Sequence, residues 1–283
     1  MNSAEIIKLK KLACKARSGA IIGTYNAKSG HPGGSLSAAD TFTYLYFKEM
    51  NVDSGNPKNP DRDRFVLSKG HACPSLYAVL AMKGFFPFEQ LESLRHVGAM
   101  LQGHPDMKGT PGIDMSSGSL GQGVSAACGM AAAGKLDGKS YRVYTVLGDG
   151  ECEEGQVWES AMFASHYKLD NLCYIIDYNG LQIDGNVEDV AGLNKLKEKF
   201  EAFGFGTAEI NGHDFNELEA AFNQARSCKD KPFAIIAKTV KGKGVSFMEN
   251  QAGWHGVAPN DEQYKQAMAE LDAQMSELEK EEA

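Results

Sequence analysis

The sequence predicts an α/β fold, a mostly parallel sheet flanked by helices on both faces. Three observations predict it. Short apolar, β-rich runs recur along the chain, and stretches of helical period separate the later ones. Two of the runs, VYTVL (143–147) and CYIID (173–177), show little alternation, as strands covered on both faces do. The 283 residues sit near the upper limit for one hydrophobic core, and no internal repeat or Pro/Ser-rich linker divides them. Residues 1–283 are therefore expected to form a single domain.

Taken in order, residues 4–27 have a helical pattern, with Ile6, Leu9, Leu12, Ala13 and Ala16 on one face and Ser3 as the N-cap. A second helix is expected over 36–50. Strands are expected at 65–67, 141–147, 172–177 and 233–237. The helices between the later strands are expected at 155–167, 193–203 and 214–226, the last capped by Asp214. Residues 261–280 read as a terminal helix with a mostly solvated face.

Composition narrows the function. At 42% hydrophobic and 23% charged residues, the chain is an ordinary globular protein and not a disordered one. Most of the net charge of −8 comes from residues 261–283, which carry eight acids against two lysines. The rest of the chain is nearly neutral, which argues against a nucleic-acid or membrane-surface protein, since either needs a basic face. No apolar run approaches the roughly 18 residues of a membrane span, and the lysine-interrupted N-terminus has no signal-peptide block. Six cysteines without a CxxC pair suggest neither a zinc site nor a disulfide framework, so a cytoplasmic location is expected. The 31 glycines exceed the roughly 20 that typical usage would place in a chain of this length. Such an excess suggests loops that bring backbone close to a ligand.

Ligands of parallel α/β sheets bind beyond the carboxyl ends of strands, at a switch point. After Leu147 comes Gly148-Asp149-Gly150, followed by a helix, and after Asp177 comes Tyr178-Asn179-Gly180-Leu181. Asp149 offers a carboxylate oxygen and Asn179 an amide oxygen, the hard ligands Mg²⁺ takes when phosphate oxygens complete its shell. The glycines allow close approach, and the following helix N-terminus favours a diphosphate. Gly-Asp-Gly alone reads equally well as a plain turn. Its place after one apolar strand, with an asparagine closing the next, is what makes it specific. Competing nucleotide motifs fail: there is no G-x-x-x-x-G-K-[ST], and Gly121-Gln122-Gly123 and Gly242-Lys243-Gly244 lack the third glycine of a dinucleotide fingerprint.

Five of the seven histidines adjoin a glycine. His31, His71, His104 and His255 fall in turn-like contexts, where a scaffold displays catalytic groups. His96 and His166 are expected in helical stretches as packing or surface residues, and His213, just before a helix, is expected to be structural. Any one loop histidine reads most simply as structural. As a set near a bound diphosphate, they could donate to substrate oxyanions and exchange protons near neutral pH.

These segments together resemble transketolase, specifically the family's N-terminal, diphosphate-binding domain. The resemblance is carried by SGHPGGSLSAAD (29–40), DRDRFVLSKGHACPSLYAVL (61–80), QGHPD (102–106), SSGSLGQGVSAACGMA (116–131), LGDGECEEGQVWE (147–159), DYNGLQIDG (177–185), NGHDF (211–215) and KTVKGKG…WHG (238–256). It implies the thiamine diphosphate-binding fold, with thiamine diphosphate and Mg²⁺ as cofactors. Asp149 and Asn179 would ligate Mg²⁺ by side chain and Leu181 by its carbonyl. Gly150 would approach the diphosphate, with His71, His255 and Lys241 around it, although not every family member has lysine at that last point. Gly118, Ser119 and Leu120 would line the cofactor. His31, His104 and His255, helped by His71, would bind substrate oxygens and move protons. The implied reaction transfers a two-carbon glycolaldehyde unit from a ketose phosphate to an aldose phosphate, as in the pentose phosphate pathway.

In the family, the glutamate that activates the cofactor and the arginines that grip the substrate phosphate lie on a second, pyrimidine-binding domain that this sequence does not contain. The resemblance thus implies a split enzyme, one subunit of a heterotetramer whose C-terminal transketolase subunit supplies that domain. Such a half should expose apolar surface for an interface. Two other readings stand beside it. One is another ketol-transferring enzyme, of the deoxyxylulose-phosphate synthase type or a sugar-specific transketolase relative; His31, His104 and the Trp254-His255-Gly256 run favour the transketolase branch. The other is a non-catalytic Mg²⁺–diphosphate-binding subunit, which would leave the histidine set unexplained. Donor and acceptor preference cannot be read from this half.

Overall fold

The computed structural model describes residues 1–282. Helix α1 (Ser3–Ala27) is capped by Asn2, one residue before the expected Ser3. The Asn2 side chain accepts the Glu5 N–H (2.9 Å) while the Glu5 carboxylate accepts the Asn2 N–H (3.0 Å). This reciprocal box satisfies two helix-end donors, which a serine one residue later could not do in the same register. The second helix, α2, runs Pro32–Tyr44 and continues as a π turn over Leu45–Glu49. It starts four residues before the expected 36, because Pro32 is pre-set for a first helical turn and the Gly33-Gly34 pair is carried inside the buried helix.

Strand β1 (Arg64–Leu67) is followed by α3 (Cys73–Met82) and α4 (Gln122–Leu136), then β2 (Val143–Gly148), α5 (Gly155–His166) and β3 (Leu172–Tyr178). A small antiparallel hairpin, β4 (Leu181–Gln182) with β5 (Gly185–Asn186), leads into α6 (Val187–Ala191) and α7 (Leu196–Ala202). Strand β6 (Gly206–Asn211), α8 (Phe215–Ser227), β7 (Phe233–Lys238) and α9 (Asp261–Glu282) complete the chain. The sequence reading omitted α3, α4, α6, β6 and the hairpin. Helix α3 is buried along nearly its whole length, so it shows no apolar stripe to read. Strand β6 alternates buried and exposed residues in a short run ending in polar Glu209 and Asn211. His166 does close α5, but His96 lies in an irregular turn and not in a helix.

Five strands pair in the order β1-β2-β3-β7-β6, every neighbour parallel. Helices cover both faces, and successive strand residues divide between them. Phe65, Tyr144, Val146, Ile175, Ile235 and their neighbours face α1, α2, α3 and α8. Val66, Leu147, Tyr174, Ile176 and Ile236 face α4, α5 and α7. The two loops expected to carry the site do follow the carboxyl ends of β2 and β3, but neither lies at a switch point. The chain advances through β1, β2 and β3 without reversing, and the reversal falls at β6–β7.

Helix α8 joins the first layer through Phe215, Leu218, Ala221, Phe222 and Ala225, a helical stripe. The Phe222 ring stacks on Tyr44 at 5.1 Å and meets Tyr144 edge-on at 5.9 Å. Phe222→Ala would leave a cavity between helix and sheet, so urea denaturation should show a loss of about 3–5 kcal/mol. A loss below about 1 kcal/mol would mean that the layer closes around the hole.

Helix α9 lies on α1, with Ala267 and Leu271 against Cys14 and Ile21, and its remaining face is largely solvated as expected. All six cysteines are free, five of them buried. No helix among the described residues is long and apolar enough to cross a membrane.

Candidate active site

Beyond the carboxyl ends of β1, β2, β3 and β7 lies a cleft of about 220 Å³. Asp149 follows β2 into it and is only 2% exposed. One carboxylate oxygen accepts the Gly150 N–H (2.9 Å), and the other accepts the Gly180 N–H from the end of β3. Asn179 follows β3. Its amide donates to Asp177 (3.1 Å), and its oxygen accepts the Leu181 N–H (3.1 Å). The Leu181 carbonyl accepts from the Lys241 ammonium at 3.0 Å. Asp149, Asn179, Leu181 and Gly150 thus line one cleft although they come from two strands, and Leu120, His71, His255 and Lys241 line it with them. The segment after Gly150 is a 3₁₀ turn to Glu153, and α5 begins only at Gly155.

The loop carrying Gly118, Ser119 and Leu120 is seated through Gly70. A Cβ at Gly70 would come within 2.9 Å of Ser117 Oγ and 3.0 Å of the Gly118 nitrogen, so only glycine lets the His71 turn sit this close. Gly118 in turn lies against the His104 ring. The Gly242 N–H donates to the Gly33 carbonyl (3.0 Å), which ties the start of α2 to the segment leading to His255. The four turn histidines meet as a result. Ring centroids of His31 lie 5.2 Å from His71, 6.0 Å from His104 and 5.6 Å from His255, and those of His71 and His255 are 5.0 Å apart. The three set aside stay outside: His213 bridges Asp40 (2.6 Å) and the Val240 N–H (2.9 Å), a structural role as expected.

Electrostatics keeps the imidazoles neutral. Burial, then Arg95, His104 and Lys241, pull His31 down to about 4. Burial, then Lys241, His31 and Lys69, pull His255 to about 3. Burial and Lys69 hold His71 well below the usual imidazole range, and burial with Arg95 lowers His104. A neutral imidazole can offer one N–H and one lone pair, so the group is suited to hydrogen-bonding oxygens. Burial and the neighbouring Lys69 bring Lys241 down to about 8. Burial and the nearby Asp177 carboxylate push the Asp149 carboxyl up to about 6.

Sequence reasoning missed the supports of this site. Lys69 and Asp177 form a buried ion pair, 2% and 3% exposed by side chain. Asp177 also accepts from Ser37 (2.6 Å), Thr239 and Asn179, so it aims the Asn179 amide. Glu151, 2% exposed, accepts from the Ser68 hydroxyl, the Gly121 N–H (2.9 Å) and the Gly148 N–H (3.1 Å). It thereby clamps the Gly-Asp-Gly turn to the loop before α4. A carboxylate ending the apolar run of β3 was the one visible signal for Asp177. Arg95, beside His31, had none.

The donor chemistry fits a magnesium diphosphate. The converging atoms are hard oxygens, and two buried acceptors, Gln182 Oε1 and Glu153 Oε1, have no hydrogen-bond partner at this cleft. Among the described residues no cluster of three or more His, Cys, Asp or Glu side chains could hold a metal unaided. Mg²⁺ commonly takes only one or two carboxylates and completes its shell with phosphate oxygens.

A parallel sheet whose carboxyl ends gather buried ammonium groups, oxygen donors and neutral imidazoles belongs to an α/β protein built to hold an anionic ligand. The chain belongs to the transketolase family, its residues 10–278 matching the family model described as "Transketolase, thiamine diphosphate binding domain". It is 49% identical over 243 residues to the 6-deoxy-6-sulfo-D-fructose transketolase subunit SqwG of Clostridium sp. (strain MSTE9), covering 86% of this chain and 88% of that protein. Over 257 residues it is 44% identical to one subunit of the apulose-4-phosphate transketolase of Phocaeicola vulgatus, with 91% of each covered. Among solved structures it resembles the transketolase of Campylobacter jejuni with a TM-score of 0.89 and 34% identity, over 96% of this chain and 43% of that one. The chain thus spans about two fifths of the length of that transketolase.

Proposed function

We propose that residues 1–283 act as one diphosphate-binding subunit of a split transketolase, using thiamine diphosphate and Mg²⁺ to move a two-carbon glycolaldehyde unit from a ketose phosphate to an aldose phosphate. The observation that carries this is the grouping of four histidines, of which His71 and His255 line the cleft with Asp149, Asn179 and Leu181 while His31 and His104 stand beside them. Thiamine diphosphate, when bound, supplies the carbon nucleophile and electron sink for breaking and remaking a carbon–carbon bond. Asp149, Asn179 and the Leu181 carbonyl would hold Mg²⁺. Lys241, His71 and His255 would meet the diphosphate beside Gly150, and Gly118, Ser119 and Leu120 would line the ring system. His31, His104 and His255 would bind substrate hydroxyl and carbonyl oxygens and pass protons among them.

A partner chain with the pyrimidine-binding domain would supply the activating glutamate and the rest of the substrate pocket, in a heterotetramer. Two things support this. The relatives named as subunits nearly coincide with this chain in length, and α5 leaves Met162 and Phe163 exposed, with Tyr167 just beyond it. The free cysteines accord with a reducing cytoplasm. A second reading, a sugar-specific transketolase relative, is favoured by the names of those same relatives, one acting on a sulfo-sugar and one on apulose 4-phosphate.

The test is transketolase activity of the chain with and without a separate chain carrying a transketolase pyrimidine-binding domain, thiamine diphosphate and Mg²⁺ being supplied. Turnover is expected only from the pair. Comparable turnover from this chain alone would overturn the split arrangement. A donor panel including sulfo-sugars and branched sugar phosphates separates the two substrate readings.

A further inference from the structure

Arg95 follows the short 3₁₀ segment Phe88–Ser93 and sits in the left-handed region, at φ 62°. Such a conformation is uncommon for a residue with a side chain and persists where its surroundings hold it. Here the backbone N–H donates to the Leu101 carbonyl (2.9 Å). The guanidinium reaches across three acceptors. Nη1 donates to Ser29 Oγ at 2.9 Å, and Nη2 to the Gly103 carbonyl at 3.3 Å and to His31 Nδ1 at 3.4 Å. It also lies flush on Gly103, where a Cβ would come within 2.7 Å of Nε. The guanidinium is thus held against His31 by Ser29 of the same loop and by Gly103 of the loop that carries His104.

A guanidinium has no lone pair to offer and does not lose its proton in a protein. Facing one, His31 Nδ1 must accept, and the ring proton must sit on Nε2. We propose that Arg95 is a positioning residue that locks His31 in the Nε2–H tautomer, so that His31 presents a hydrogen-bond donor to the substrate. His31 would then act as a neutral electrophile, polarising a substrate oxygen, and not as an acid delivering a full charge. The catalytic consequence rests on the transketolase reading above, whereas the tautomer does not. The other charged or titratable groups facing His31 are His71, His104, His255 and Lys241.

The protein contains its own reference. His213 Nε2 accepts the Val240 N–H (2.9 Å), so its proton sits on Nδ1 and is donated to Asp40 (2.6 Å). The two rings should therefore show opposite tautomers.

The experiment is two-bond ¹H–¹⁵N correlation spectroscopy of the full chain labelled with ¹⁵N-histidine, with His31→Gln assigning the signal. In the native chain His31 is expected as Nε2–H and His213 as Nδ1–H. A His31 signal that is Nδ1–H, or an even mixture, overturns the proposal without any variant. In Arg95→Met the His31 signal should become a mixture and its titration should move up toward the ordinary imidazole range, while Arg95→Lys, which keeps a cationic donor, should shift it less. An unchanged His31 beside an unchanged His213 in Arg95→Met also overturns it. In the complex with the partner chain, Arg95→Met should lower kcat about tenfold with the KM for thiamine diphosphate unchanged, and Arg95→Lys should recover part of the loss. A native complex without transketolase activity defeats the functional reading and leaves the spectra to decide on Arg95.

Discussion

Asp149→Ala should weaken binding of thiamine diphosphate in the presence of Mg²⁺ by more than about 100-fold, or about 2.7 kcal/mol. The argument runs from the position of the carboxylate. Asp149 is 2% exposed and is held by the N–H groups of Gly150 and Gly180. Truncation removes the one carboxylate among the three proposed magnesium ligands and leaves two backbone donors facing empty space. Asp149→Asn preserves the shape and one acceptor oxygen while deleting the charge, so it separates ligation from loop collapse. Calorimetric titration of the chain with its partner measures the effect. Native-like affinity in Asp149→Ala would remove Asp149 from the cofactor site.

His104→Ala should do the opposite, leaving cofactor affinity within about twofold while lowering transfer by roughly 100- to 1,000-fold, the usual cost of one donor at a developing oxyanion. The loop should survive the truncation because its backbone is held independently. The Tyr77 hydroxyl reaches the carbonyls of Gln102 (2.9 Å) and His104 (3.0 Å), and the Ser117 N–H donates to Pro105 (3.4 Å). The His104 ring lies 6.0 Å from His31 and against Gly118, and it does not line the cleft that holds Asp149, Asn179 and Leu181. Steady-state kinetics of the complex beside a cofactor titration reads both quantities. Full transfer activity in His104→Ala would mean that its imidazole plays no part in the chemistry.

How much of this was legible varies with the kind of signal. Strands β2 and β3 could be read because a strand covered on both faces is an unbroken apolar run. Helix α8 could be read because one face is solvated and its apolar residues keep helical spacing. Helix α3 could not, since a helix buried on nearly all sides has no polar face to set its period. Edge strand β6 was missed because Thr207, Glu209 and Asn211 interrupt its buried residues and leave no unbroken apolar run. The boundaries moved where caps and turns decide them, as with Asn2 in place of Ser3.

By itself the sequence determined the chemical inventory: a Gly-Asp-Gly turn after one strand, an asparagine after the next, and four histidines in glycine turns. Local chain geometry dictates these, because a turn at a strand end needs small, polar residues wherever the rest of the molecule lies. Only the tertiary structure decided which of those groups meet, because convergence depends on parallel pairing between residues dozens of positions apart. It also supplied the supports that have no local signature. The Lys69–Asp177 pair, the Glu151 clamp and the Arg95 contact with His31 join segments 30 to 108 residues apart. They can form only once the sheet and its two helical layers have closed, because that closure is what brings these segments together.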